Sequence, residues 1–252
     1  MFRPRSAAWA GFALGMSLLA PSVVHAAAEV HRFNVALSAA PTGVDAAAVN
    51  DVIDFYNRTV ITPPPRGYDP VAQISFGWLF TGEVRYFLTR NLAMNAGVSQ
   101  LRSKTAKEYL PALSQSIDVR AELITAPVHI GAAYYLQPYN QGDFQARAYL
   151  GGGFLSLVQS RLKYQQTANG VPGQTSYVTA WKRDAPGFYV EGGVHMFFAS
   201  RFSVLLGAIY RSAKIEALLD RSTNEPGYAP DGQPLSMDLS GVGGRMGLAI
   251  GF

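Results

Sequence analysis

Large apolar residues stand at every second position in the segment 245–252. Met246, Leu248, Ile250 and Phe252 alternate with Arg245, Gly247, Ala249 and Gly251. A period of two constrains such a segment to a strand with two unlike faces. One face suits an oily surround; the other suits a tight interior that tolerates charge. The same period recurs along the chain. Ile74, Phe76, Trp78, Phe80, Val84, Tyr86 and Leu88 alternate with Gln73, Ser75, Thr81, Glu83 and Arg85. Phe188, Val190, Val194, Met196 and Phe198 alternate with Tyr189, Glu191, Gly193 and His195, and Phe202, Val204, Leu206, Ala208 and Tyr210 with Ser203, Gly207 and Arg211. The segment 116–136 loses phase. Ile117, Val119 and Leu123 share one parity, and Val128, Ile130, Tyr134 and Leu136 the other. Pro127 lies at the switch, which predicts a β-bulge there.

Three tight joints punctuate these segments: Phe87–Leu92, Leu136–Phe144 and Phe198–Phe202. Each sets turn residues or a polar break between apolar shoulders. Four longer stretches, 41–70, 103–115, 165–177 and 216–236, concentrate Pro, Asn, Gly, Gln and Asp. Short connections at one end and long ones at the other are the arrangement of membrane-spanning barrels. Three short joints, four long loops and two chain ends require eight strands. They are predicted at 29–40, 71–88, 91–102, 116–136, 143–164, 178–198, 201–215 and 237–252. Several exceed the roughly 10 residues a crossing needs, so they are expected to project past the outer leaflet.

The beginning of the chain agrees. Arg3 and Arg5 precede an apolar run, Ala7 to Ala20, that is too short for a confident membrane span. Pro21 and Val24-His25-Ala26 fit a cleavage site. Residues 1–26 therefore read as a secretory signal peptide, with a membrane anchor as the alternative, and 27–252 as one barrel domain. With no Cys in the chain, a lipoprotein and a disulfide framework are both excluded. Loss of Arg3 and Arg5 leaves 19 of the 21 basic residues against 17 acidic ones. That near-neutral balance, with no basic run, argues against nucleic-acid binding.

One long connection holds a helical signal. Val49, Val52, Ile53 and Tyr56 recur at helical spacing, Asp45 stands as a start signal, and Pro63-Pro64-Pro65 stops the pattern. A short amphipathic helix within 43–60 is expected over the barrel mouth, either as a lid or partner site or as a cap burying its own stripe.

An eight-stranded barrel encloses only its own side chains or one small ligand. Strand phase sends Glu83, Arg85, Arg147, Tyr149, Glu191, His195 and Arg245 inward. Buried charges must pair, so Glu83, Arg85, Arg147, Glu191 and Arg245 are expected to form a lumen charge network. It acts either as structural filling or as an ion-conducting constriction. A soluble barrel with its large residues inward is the competing fold. It leaves unexplained the aromatic residues Tyr86, Phe144, Phe198, Phe202 and Phe252 gathered near the short joints and at Phe252, where a girdle belongs.

No catalytic, cofactor-binding or metal set is expected. His31, His129 and His195 fall in the half with the short joints, lack metal-ligand spacing, and join no Ser-His-acid group near the loops. Gly151-Gly152-Gly153 lacks the context of a phosphate loop; a bend or close packing explains it better.

The stretches Gly82–Leu92 and Ala148–Gly153 resemble the small eight-stranded bacterial outer-membrane β-barrels, opacity-type proteins and the membrane domain of outer-membrane protein A among them. The resemblance implies an all-β, antiparallel up-and-down transmembrane barrel in the outer membrane, with outer-membrane lipids and lipopolysaccharide around it. It implies that Met246, Leu248, Ile250 and Phe252 form an assembly signal read by the barrel-assembly machinery, after periplasmic chaperones. With Phe252 as the last residue, the periplasmic peptidoglycan-binding domain of some relatives is expected to be absent. The loops carry no motif that names a surface partner. Three functions stay open: a structural or surface-interaction barrel, a narrow porin-like channel or carrier for small solutes, and an outer-leaflet enzyme.

Overall fold

The computed structural model describes residues 31–63, 67–110, 115–141, 144–169, 177–198, 201–228 and 232–252. The expected signal peptide lies outside them. Eight strands make the barrel: β1 (Phe33–Gly43), β2 (Phe76–Phe87), β3 (Leu92–Tyr109), β4 (Ser116–Tyr135), β5 (Phe144–Asn169), β6 (Tyr177–Phe197), β7 (Phe202–Ile215) and β8 (Gly241–Gly251). Each pairs antiparallel with the next, and β8 pairs back to β1 from Asn34↔Gly251 to Thr42↔Gly243. Closure leaves no free edge. The three short joints and the Asn34↔Gly251 end of the β1–β8 pairing, beside Phe33 and Phe252, lie at one end, the turn end; the long connections lie at the other, the loop end.

Several boundaries differ from those expected. β3 runs to Tyr109 and β5 to Asn169, so much of the expected loops 103–115 and 165–177 is paired strand. β2 starts only at Phe76, and Ile74 is buried instead of joining the outward row. Met237–Asp238 forms its own short pairing with β7, ahead of β8.

The apparent phase loss in β4 has a different cause from the one expected. Its odd-numbered residues face inward without a break from Ile117 to Tyr135, so Pro127 causes no bulge. What changes is the chemistry of the two faces. Toward the turn end, Val128, Ile130 and Tyr134 point outward; toward the loop end, Asp118, Arg120 and Glu122 point outward and Ile117, Val119 and Leu123 fill the interior. β3 repeats this. Leu92, Met94 and Val98 give way on the outside to Gln100, Arg102 and Lys104. One half of the barrel is apolar outside, and the other half has the apolar-inside pattern of a soluble barrel. The bulge itself lies on β5. Gln159, at φ 56°, is the extra residue against both neighbouring strands, and its N–H donates to Asp184 Oδ1 at 3.0 Å. It moves the inward row from Leu155 and Leu157 to Ser160, Leu162 and Tyr164.

The apolar band is built from side chains such as Leu37, 69% exposed, and Phe154, 77% exposed. Soluble surfaces do not carry a continuous band of this kind; a hydrocarbon surround makes it favourable. Aromatic rings border it. Phe33 meets Phe252 and Phe144 meets Phe198 at the turn end, while Phe76, Trp78 and Phe80 line up toward the other edge.

The helix α1 spans Ala47–Tyr56 and continues as a π-helical turn, Asn57–Ile61. It starts after Ala46 with no side-chain cap; Asp45 instead bridges to Asp238. Val49, Ile53 and Ile61 are buried against Leu79, Leu101 and Ile117 of the barrel mouth. Two asparagines seven residues apart fasten it down. Asn50 Nδ2 donates to Ile74 O at 2.9 Å while Ile74 N–H donates to Asn50 Oδ1 at 2.7 Å. Asn57 does the same with Val71, at 2.9 and 2.8 Å. The helix is therefore a cap tied to the segment that leads into β2. Asn57→Ala leaves the Val71 amide and carbonyl unpartnered, at about 1–3 kcal/mol. Hydrogen exchange should accelerate in 47–61 and 67–75, with the barrel strands unchanged.

Candidate functional site in the barrel lumen

Inward positions of seven strands meet at the middle of the barrel. Arg85 is 0% exposed. Its Nε is ion-paired with Glu83, its Nη2 donates to Glu191 Oε1 at 2.7 Å, and its Nη1 donates to Tyr135 Oη at 2.8 Å. The Tyr149 ring stacks 4.9 Å from its guanidinium carbon. Arg245 enters from β8. Its Nη1 binds Glu191, its Nη2 lies 3.3 Å from Glu83 Oε2, and its Nε donates to Ser38 Oγ at 3.1 Å. Two arginines and two glutamates thus form a closed, alternating ring. Each carboxylate meets both guanidinium groups, which is the arrangement that offsets the cost of taking four charges out of water.

Other groups complete the carboxylates. His129 Nε2 lies 3.1 Å from Glu83 Oε2. Asn95 Nδ2 donates to Glu191 Oε1 at 3.2 Å, and its Oδ1 accepts from the Tyr189 hydroxyl at 2.8 Å. Space for them comes from glycine. A Cβ at Gly97 would meet His129 Cε1 at 2.6 Å, and one at Gly131 would strike the Tyr189 hydroxyl.

Of the five charged residues expected in the lumen, Glu83, Arg85, Glu191 and Arg245 come together. Arg147 does not join them. It sits toward the turn end, donates to the carbonyls of Arg90 and Leu136, and lies under Tyr135. Sequence reasoning left out His129, Asn95, Tyr135, Tyr189 and Ser38. Continuing the odd parity of β4 through Pro127 would have turned His129 and Tyr135 inward.

The lumen is layered. Phe87, Tyr135, Phe197 and Leu205 pack below the ring at the turn end. Above it lies a cavity of about 30 Å³, and above that the apolar core beneath α1. His195 Nε2 contacts Ser203 Oγ at 2.8 Å and its Nδ1 contacts the Tyr135 hydroxyl at 3.2 Å. This Ser-His pair has no carboxylate contact among the described residues, and both side chains are shut away from solvent. Among the described residues no group of His, Asp and Glu is placed to hold a metal ion. No helix is long and apolar enough to cross a membrane, which says nothing of crossing by strands.

Residues 10–233 match the family model described as outer membrane protein beta-barrel domain. Among solved structures, Neisserial surface protein A is 14% identical, over 89% of this chain and 99% of that one, with a TM-score of 0.41. Ail, the attachment invasion locus protein of Yersinia pestis, solved with the heparin analogue sucrose octasulfate, is 12% identical over 88% and 98%, with a TM-score of 0.34. The outer membrane protease OmpT of Escherichia coli is 9% identical over 87% and 96%, with a TM-score of 0.28. At these scores the three likenesses carry no functional weight. No curated protein matches the chain.

Proposed function

We propose, from the premise that this chain belongs to the outer membrane protein beta-barrel domain family, that it is a closed, non-enzymatic barrel whose loop end makes surface contacts. Its place is the bacterial outer membrane. The reading rests on the exchange of face chemistry along the strands. β3, β4, β5 and β6 have 18, 20, 26 and 21 residues, against about ten for a crossing. Their outer parts form a stiff wall beyond the apolar band, held from within by its own hydrophobic core.

That wall carries a groove of about 580 Å³ at the ends of β3, β4 and β5. Arg102, Lys104, Lys107, Arg120 and Lys163 line it, against Glu108, Asp118 and Glu122. Arg102 pairs with Glu122 at 2.5 Å and Arg120 with Asp118 at 2.6 Å. Exposed pairs of this kind are weak, so the cations remain available to an anionic partner. The phosphate-bearing headgroup region of lipopolysaccharide supplies that charge at this height. The ring in the lumen is filling in this reading, not a constriction, because each of its carboxylates meets both arginines. We also assign residues 1–26 as the export signal, and the row Met246, Leu248, Ile250 and Phe252 as the determinant read by the assembly machinery.

Two measurements test the reading. Reconstituted in planar bilayers, the protein should show no unitary conductance; reproducible steps would favour the narrow channel. Charge reversal at Arg102, Lys104 and Lys163 should weaken binding of purified lipopolysaccharide severalfold, and unchanged binding would remove the groove from the function.

A further inference from the structure

We propose that the cavity above the Arg/Glu ring is a binding site for a single monovalent anion of halide size. The residue that points to it is Arg211 on β7. It is 2% exposed, yet it has no carboxylate within ion-pair distance among the described residues. Its Nε donates to Leu239 O at 3.0 Å, and its Nη2 donates to Thr42 Oγ1 at 2.8 Å and Gly43 O at 3.3 Å. Its Nη1 is buried and has no hydrogen-bond partner. Arg211 and Arg245 both line the cavity. Arg245 brings a second buried nitrogen without a hydrogen bond: its Nη2 is ion-paired with Glu83 Oε2 at 3.3 Å and makes no hydrogen bond.

Charge and size select the ligand. Among the described lumen residues four arginines, Arg85, Arg147, Arg211 and Arg245, face two glutamates, Glu83 and Glu191. Arg147 is served by carbonyls at the turn end, and the ring balances itself. That leaves Arg147 and Arg211 as surplus cations, of which only Arg211 lines the cavity and keeps a nitrogen without a partner; a buried cation without a counter-charge is costly. A water there offers a dipole and no charge. The cavity, about 30 Å³, has room for one or two water-sized particles. Ala40, Leu79, Leu155 and Ile209 form much of its wall, which disfavours a hydrated or polyatomic ion. Ser38, whose oxygen accepts from Arg245 Nε, keeps its hydroxyl proton free to donate into the space. Glu83 also borders the cavity, but Arg85, Arg245 and His129 cover its charge. With the cap above and the aromatic layer below, the anion enters as the barrel folds. This goes beyond the surface role and does not depend on it.

The test uses the whole protein refolded and crystallised in sodium bromide. An anomalous peak beside Arg211 Nη1 is expected; a cavity with water or no density at that place overturns the proposal. A solution measurement runs beside it. At equal ionic strength the urea midpoint of the wild type should be higher in chloride than in gluconate. Arg211→Gln should lose that difference, and Arg201→Gln, at an exposed site, should keep it. An equal salt response in all three proteins means surface screening and also overturns the proposal. If Arg211→Gln does not fold, the bromide peak in the wild type decides alone.

Discussion

Replacing Arg85 with methionine is expected to destabilise the barrel by about 3–5 kcal/mol, the cost of breaking a buried ion pair from one side. Arg85 touches Glu83, Glu191 and Tyr135 and stacks on Tyr149. Its loss leaves two carboxylates facing the single guanidinium of Arg245. Adding Glu83→Gln to the same chain should recover much of the loss, because one Arg and one Glu then remain. Arg245→Leu should behave similarly, since it also contacts both carboxylates. Arg147→Met should cost less, because its partners are carbonyls. Urea unfolding of the four variants in lipid vesicles gives the comparison. A neutral Arg85→Met would mean that water reaches the ring, and the channel function would then move ahead.

Deletion of Phe252 is expected to reduce the folded yield in cells severalfold, with induction of periplasmic proteases, while protein refolded in vitro keeps most of its stability. The two effects separate because the residue contributes little locally. Its N–H donates to Phe33 O at 2.8 Å, and its ring lies 6.3 Å from that of Phe33. It is also 61% exposed on the outward row. Losing one rung weakens β1–β8 closure slightly, whereas delivery suffers if the row is the determinant proposed above. The heat-modifiable band on unboiled gels measures the first outcome, and urea midpoints measure the second. Equal losses in both would assign Phe252 a purely structural part.

The alternation of residues 76–88, 188–198, 202–210 and 245–252 determined the barrel. On a closed sheet, a period of two fixes which side chains share a face wherever no bulge interrupts the strand. It placed Glu83, Arg85, Glu191 and Arg245 inward, and a separate helical spacing gave the apolar stripe of α1. Parity was silent on the quantities that depend on height. Segments 103–109 and 165–169 look like loops because their outward residues are polar, yet they are strands that have left the apolar band. The surround changes there, and the pattern inverts without any break in the backbone. The same inversion made β4 look bulged at Pro127, while the true bulge, at Gln159 of β5, carries no Gly or Pro to announce it. Which arginine meets which glutamate, the withdrawal of Arg147 to the turn-end carbonyls and the isolation of Arg211 were decided only in three dimensions. Each depends on the register of strands far apart in sequence, which sets the depth at which inward side chains meet.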